Sequence, residues 1–160
     1  LCDMVSDAVI SLNEMRETEG LTVKADFERL IDNIRVHLDM IKQRAPFVID
    51  EYRVKLTKRI EEYLCSVEVD QAKLINEVAF FADKADINEE ISRLDSHISQ
   101  FTDVIESDGE AGRKLDFLAQ EMNREINTMG SKSADIELLN HVVEMKNELE
   151  KIREQIRNVE

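Results

Sequence analysis

The chain has 160 residues, with 35 acidic against 21 basic side chains and a formal net charge of −14. That balance argues against a generally basic nucleic-acid surface; phosphate contact then needs locally gathered basic residues or carboxylates that hold a divalent cation. One proline, four glycines and no tryptophan are little punctuation, and point to one ordinary domain or two small modules made of a few long helices.

No clean period-two run bounded by turn residues is present, so strands are not expected. Cys2 and Cys65 are far apart and lack a metal-type spacing. They read as reduced, core-like residues of a cytoplasmic protein without a disulfide framework. No run is long and apolar enough to span a membrane, and no signal peptide is visible.

In chain order, Val5, Ala8, Leu12 and Met15 form the stripe of a first helix that opens without a cap, as the interior of a longer polypeptide would. Its end is expected near Glu19-Gly20, where glycine suits the left-handed C-terminal position. A second helical region runs from about Asp26 to Val67. Its apolar positions are Phe27, Ile31, Ile34, Leu38, Ile41, Ala45, Val48 and Tyr52, then Leu56, Ile60 and Leu64. The first part is a heptad seam. Pro46 is expected to start a new helix or to kink the old one.

Asp70 is expected to cap a third helix with a stripe at Leu74, Val78, Phe81 and Ala85. Asp86 with Glu89 has the form of a capping box, so a new helix or a kink begins there. From it, Ile87, Ile91, Leu94, Ile98, Phe101 and Ile105 keep a three-four rhythm, with Glu90, Arg93, His97 and Gln100 beside them. A polar loop is expected at Ser107-Asp108-Gly109.

Gly112 to Lys132, GRKLDFLAQEMNREINTMGSK, is the stretch around which the chain is organised. Leu115, Leu118, Met122 and Met129 mark its apolar face. Glu121 and Glu125 share a second face with Arg124 and Thr128. Gln120, Asn123 and Asn127 fall on a third. Two asparagines and a threonine cost helix propensity, so something other than helicity selects them. Ser133 or Asp135 then caps a last helix, whose heptad seam is Leu138, Val142, Met145, Leu149, Ile152, Ile156 and Val159. That helix must pair with another, and Arg153 and Arg157 read as its inter-helix ion-pair partners.

The fold class is therefore all-α: long helices with coiled-coil-like antiparallel packing and a C-terminal helical hairpin or bundle. If the helix at Asp86 packs antiparallel on the helix at Gly112, as a short connection favours, then Glu90, His97, Glu121 and Glu125 form one site. Carboxylates from two helices with one imidazole suit Mg2+, Mn2+ or Zn2+. The competing reading makes them surface charges paired with Arg93 and Arg124. Arg113 and Lys114 near a helix start can meet phosphate or simply be solvated. No nucleophile–histidine constellation and no phosphate-binding loop is present, the segment Gly109 to Lys114 (GEAGRK) lacking the spacing for one.

Three blocks, Asp86 to Phe101 (DINEEISRLDSHISQF), Gly112 to Ser133 (GRKLDFLAQEMNREINTMGSKS) and Val142 to Glu160 (VVEMKNELEKIREQIRNVE), occur in order and carry a resemblance. Residues 70–160 resemble the C-terminal domain of the bacterial YicC/YloC family. Residues 1–69, including MRETEG from Met15 to Gly20, resemble the helical segment that follows that family's N-terminal, strand-containing domain, which is expected to precede Leu1. Two units, 1–69 and 70–160, are expected on this basis.

The resemblance implies a divalent-metal-dependent endoribonuclease, with Mn2+ or Mg2+, that cuts single-stranded RNA in the bacterial cytoplasm as a ring-like homo-oligomer, a hexamer. It also carries an older description of the family as stress-induced. Joined to the residue reading, Glu90, His97, Glu121 and Glu125 hold or surround the metal, with His97, Glu121 and Glu125 catalytic. Arg93, Arg113, Lys114, Arg124 and Lys132 neutralise phosphate, and Gln120, Asn123 and Asn127 orient bases, sugars or ligands. The rival expectation is a helical oligomerisation scaffold whose chemistry sits in the preceding domain.

Overall fold

The computed structural model describes residues 2–64, 71–107 and 111–159, with backbone alone for 2–14, 17, 63, 64, 158 and 159. Five helices follow one another: α1 (Cys2–Leu64), α2 (Gln71–Ala85), α3 (Asn88–Glu106), α4 (Gly112–Lys132) and α5 (Ile136–Val159). No strand occurs among the described residues. The expected 69/70 boundary, the Asp70 cap, both cysteine side chains, the Val5–Ala8–Leu12 stripe, Leu64 and Val67, Asp108-Gly109 and Val159 lie outside what is described.

The break expected at Glu19-Gly20 is absent: α1 is one helix of 63 residues that runs through Gly20 and Pro46. A glycine in a helix costs only about 0.5–1 kcal/mol relative to alanine, and stops the helix only if it turns left-handed. Proline costs about 3 kcal/mol, which tertiary contact offsets here. Two residues before Pro46, Arg44 reaches forward to Glu51, its Nη1 and Nη2 donating at 2.6 and 2.8 Å. The same guanidinium donates to Asp135 ahead of α5 at 2.7 Å. Arg44 thus brackets the proline on both sides.

Helices α1, α3, α4 and α5 pack up-down-up-down around one core. Antiparallel register of α1 on α5 follows from Asn33 meeting Glu148, His37 meeting His141 and Arg44 meeting Asp135. On the other side of α1, Arg35 meets Thr102 and Lys42 meets Asp95. The core holds Ile34, Leu38 and Ile41 of α1, Leu94 and Phe101 of α3, Met122, Ile126 and Met129 of α4, and Met145 and Ile152 of α5, all fully buried. Each such side chain contributes roughly 1.5–3 kcal/mol over leaving it in water. Phe27 meets Phe101 edge-on, with centroids 5.8 Å apart.

Beyond the bundle, the second half of α1 pairs with α2, where Tyr52 stacks on Phe81 at 3.7 Å. Of the α2 stripe only Leu74 is buried, and Ile75 and Phe80 are exposed. The α2–α3 junction falls where the capping box is expected. Asp86 Oδ1 accepts the backbone N–H of Asn88 at 2.9 Å, whereas Glu89 pairs with Arg93 instead of returning to Asp86. Asp135 caps α5 by accepting the N–H of Leu138 at 2.9 Å. Among the described residues Arg153 and Arg157 have no inter-helix ion-pair partner; both meet Glu150 on their own helix, because the seam around them is apolar.

Candidate metal centre on the α3–α4 hairpin

The five residues between α3 and α4 leave the chain no choice but to turn back, so the flank of α3 carrying Glu90, Arg93, His97 and Gln100 faces one flank of α4. Pairing runs antiparallel. Glu90 meets Lys132 at 2.7 Å, Arg93 meets Glu125 at 3.8 Å, and His97 lies opposite Glu121.

His97, Glu121 and Glu125 form a compact group: one ligand atom from each lies within 4.8 Å of the others. An ion held at roughly 2.0–2.2 Å needs its donors within about 4.4 Å of one another, so small side-chain rotations close the set. Glu125 is 4% exposed. Among the described residues its carboxylate receives no hydrogen bond, only the distant Arg93 guanidinium at 3.8 Å. The residue is buried, but its carboxylate oxygens stay accessible, which leaves them open to a cation. The Nδ1 of His97 is likewise buried without a partner. Glu121 is more open, with Arg124 Nη1 3.9 Å away. One imidazole nitrogen and two carboxylates, under-partnered on one side, fit a hard or borderline divalent cation.

Glu90 is not in this group. On α3 it stands two turns, about 10 Å, from His97, and its Oε1 accepts from Lys132 Nζ. The same ammonium donates to the Asp86 carbonyl at 3.0 Å, so Lys132 ties the end of α4 to the start of α3. The other oxygen of Glu90, Oε2, is buried and unpartnered.

Gln120, Asn123 and Asn127 lie on the other flank of α4, since Asn123 is about 200° around the helix from Glu121. The Gln120 amide donates to Asp116 at 2.6 Å. Arg113 and Lys114 sit at the turn end of the hairpin, where they line a groove of about 450 Å³ with Phe117 and Gln100. Phe117 escaped the sequence reading. The signal was there: with Leu115 and Leu118 on the core stripe, the ring between them must face away from the core.

The fold and the site together define an all-helical bundle with an acid–imidazole cluster on one hairpin. The chain belongs to the endoribonuclease YicC-like family, since residues 41–160 match that family's C-terminal model. A protein of Clostridioides difficile named "Probable endoribonuclease YicC" is 50% identical over 157 residues, covering 98% of this chain and 54% of that protein. A Haemophilus influenzae protein of the same name is 34% identical over 158 residues, covering 99% of this chain and 53% of its own length. The chain thus spans about half the length of the curated relatives it matches. No described helix is long and apolar enough to cross a membrane.

Proposed function

We propose that the chain carries the metal-binding and catalytic part of a cytoplasmic endoribonuclease that cleaves single-stranded RNA and works as a homo-oligomer, a hexamer. The observation that carries this reading is the convergence of His97, Glu121 and the buried, under-partnered Glu125 from two helices. The relatives named as probable endoribonucleases support the endoribonuclease part of this reading. A Mn2+ or Mg2+ ion held by the three would supply Lewis-acid polarisation of a phosphodiester. Glu125, with no hydrogen-bond donor to satisfy it, is the anchoring ligand. Glu121, with more solvent access, takes the proton from a water or a ribose hydroxyl. Arg93 and Arg124 flank the cluster and answer phosphate charge, joined at the turn end by Arg113 and Lys114. Lys132 serves by holding Glu90 and fixing the hairpin. Gln120, Asn123 and Asn127 touch RNA only outside this cluster.

The scaffold reading has one observation in its favour. Val36, Met40, Phe47 and Val54 form an exposed apolar line along α1, as a self-associating surface does. The two readings divide on metal. Titration with Mn2+ by calorimetry should give one binding event that weakens at least tenfold in His97→Ala and Glu121→Ala, and EDTA should stop cleavage of a labelled single-stranded RNA. Equal Mn2+ binding in both variants, or EDTA-insensitive cleavage, would leave the scaffold reading standing.

A further inference from the structure

We propose that the groove at the turn end of the α3–α4 hairpin is a subsite for one unpaired nucleotide, with its base stacked on Phe117 and its phosphate beside Arg113 and Lys114. The proposal rests on the ribonuclease reading and sharpens it, because it names the feature that selects single strands.

Phe117 is 60% exposed. A lone exposed ring is ordinary, but this one lines a groove of about 450 Å³ whose α4 side also carries Arg113 and Lys114. The remaining cations of α3 and α4, namely Arg93, Arg124 and Lys132, each face a carboxylate. Arg113 and Lys114 have no ion pair among the described residues, although the chain carries a net charge of −14. They also occupy the first turn of α4, where the helix dipole adds positive potential. Asp103 lines the α3 side of the groove, so a phosphate is directed to the α4 side.

An aromatic face beside cations that no described carboxylate pairs with matches the two parts of a nucleotide, since every base offers a π-face and every link a negative charge. Phe117 precedes Glu121 by one helical turn, about 6 Å along α4, and both lie on the flank turned toward α3. One nucleotide is long enough to reach from the ring to the cluster. A base held flat on Phe117 has left any stack or pair, so duplex RNA is refused.

The test is binding, kept apart from cleavage. A fluorescein-labelled 10-nucleotide single-stranded RNA carrying one 2-aminopurine is titrated with the chain in EDTA, followed by anisotropy and by 2-aminopurine quenching. Phe117→Ala should weaken binding ~5- to 100-fold and abolish the quenching. Phe117→Tyr should keep both, and the duplex form should bind far more weakly than the single strand. Because the ring is exposed, thermal melting of Phe117→Ala should match the native chain. Native-like binding and quenching by folded Phe117→Ala, or equal affinity for duplex, would overturn the subsite. Should that happen while EDTA still stops cleavage, the subsite alone fails. Phe117-dependent binding with EDTA-insensitive cleavage would sink the metal mechanism and leave the subsite. No binding of single-stranded RNA by the native chain would sink both.

Discussion

The α1–α5 seam and the α3–α4 hairpin are both antiparallel helix pairs with buried polar side chains, yet they treat those side chains differently. On the seam, partners are provided. Glu148 is buried, but Asn33 Nδ2 donates to it at 3.0 Å and Lys151 Nζ at 2.5 Å. Burial alone would push its pKa up; the two hydrogen bonds and the nearby charges outweigh that and hold it below the usual glutamate value. Arg44 is answered by Asp135, Glu51 and Glu137. His37 and His141 share an Nδ1–Nδ1 contact of 3.0 Å, one ring donating and the other accepting. Among the described residues of α5, the buried atom without a hydrogen-bond partner is Arg153 Nε, and its guanidinium still reaches Glu150 through Nη1. On the hairpin, Glu125, His97 Nδ1 and Glu90 Oε2 are left short of partners. Satisfied polar burial specifies a fold, whereas unsatisfied polar burial costs stability and persists where something else is gained.

That contrast can be broken by mutation. The largest effect is expected on the seam. Leu149→Ala removes a fully buried side chain and should cost about 2–5 kcal/mol by urea denaturation. A loss below about 1 kcal/mol would mean that α1 and α5 do not share this core.

The hairpin should respond with the opposite sign. Glu125→Gln neutralises a carboxylate that accepts no hydrogen bond and has only Arg93, at 3.8 Å, near it, so stability should rise by up to about 1 kcal/mol while Mn2+ affinity falls. A destabilised Glu125→Gln would place that carboxylate among the structural groups and dissolve the contrast.

Acid should find the seam first. The Arg44 hydrogen bond holds the Asp135 pKa below the ordinary aspartate value, against the upward push of burial. A depressed carboxylate contributes stability that is fully present above the unfolded value, about 3.9, and is lost as pH falls through the folded one. Stability should therefore decline below about pH 4. In Asp135→Asn, the cap and the Arg44 contact weaken at neutral pH by about 1 kcal/mol, and the acid decline should be shallower. An unchanged acid limb in this variant would remove Asp135 from the account.

The smallest effect concerns α1. A Cβ on Gly20 meets nothing within 4 Å, whereas one on Gly130 comes 3.1 Å from Val142 Cγ1. Gly20→Ala should therefore stabilise by about 0.5–1 kcal/mol and Gly130→Ala by less. No gain at Gly20 would mean that α1 is not continuous there.

Much of this was legible beforehand. The stripes of α3, α4 and α5 keep a three-four rhythm, and their described residues are buried except Ile105, which is half-buried. For α1, Gly20 misled and Pro46 starts no new helix: both bias a helix only locally, whereas the Arg44 bracket to Glu51 and Asp135 comes from residues 7 and 91 positions away. In the site, the four-residue spacing of Glu121 and Glu125 and the short α3–α4 connection foretold their meeting with His97. Glu90 shares their helix flank in the sequence, but two helical turns separate it from His97. Pairing of His37 with His141 could not be read locally, because 104 residues lie between them.

Helix content, the faces of α3 to α5 and the presence of an acid–imidazole stripe were settled by the order of residues alone, because the turn of a helix is a local, 3.6-residue property. Which charges would be answered was not. Whether Lys132 meets Glu90, whether Arg93 falls short of Glu125 and whether Phe117 opens onto a groove depend on the axial offset between two packed helices. That offset is set by how the apolar side chains of the whole core interlock, a property no single segment contains.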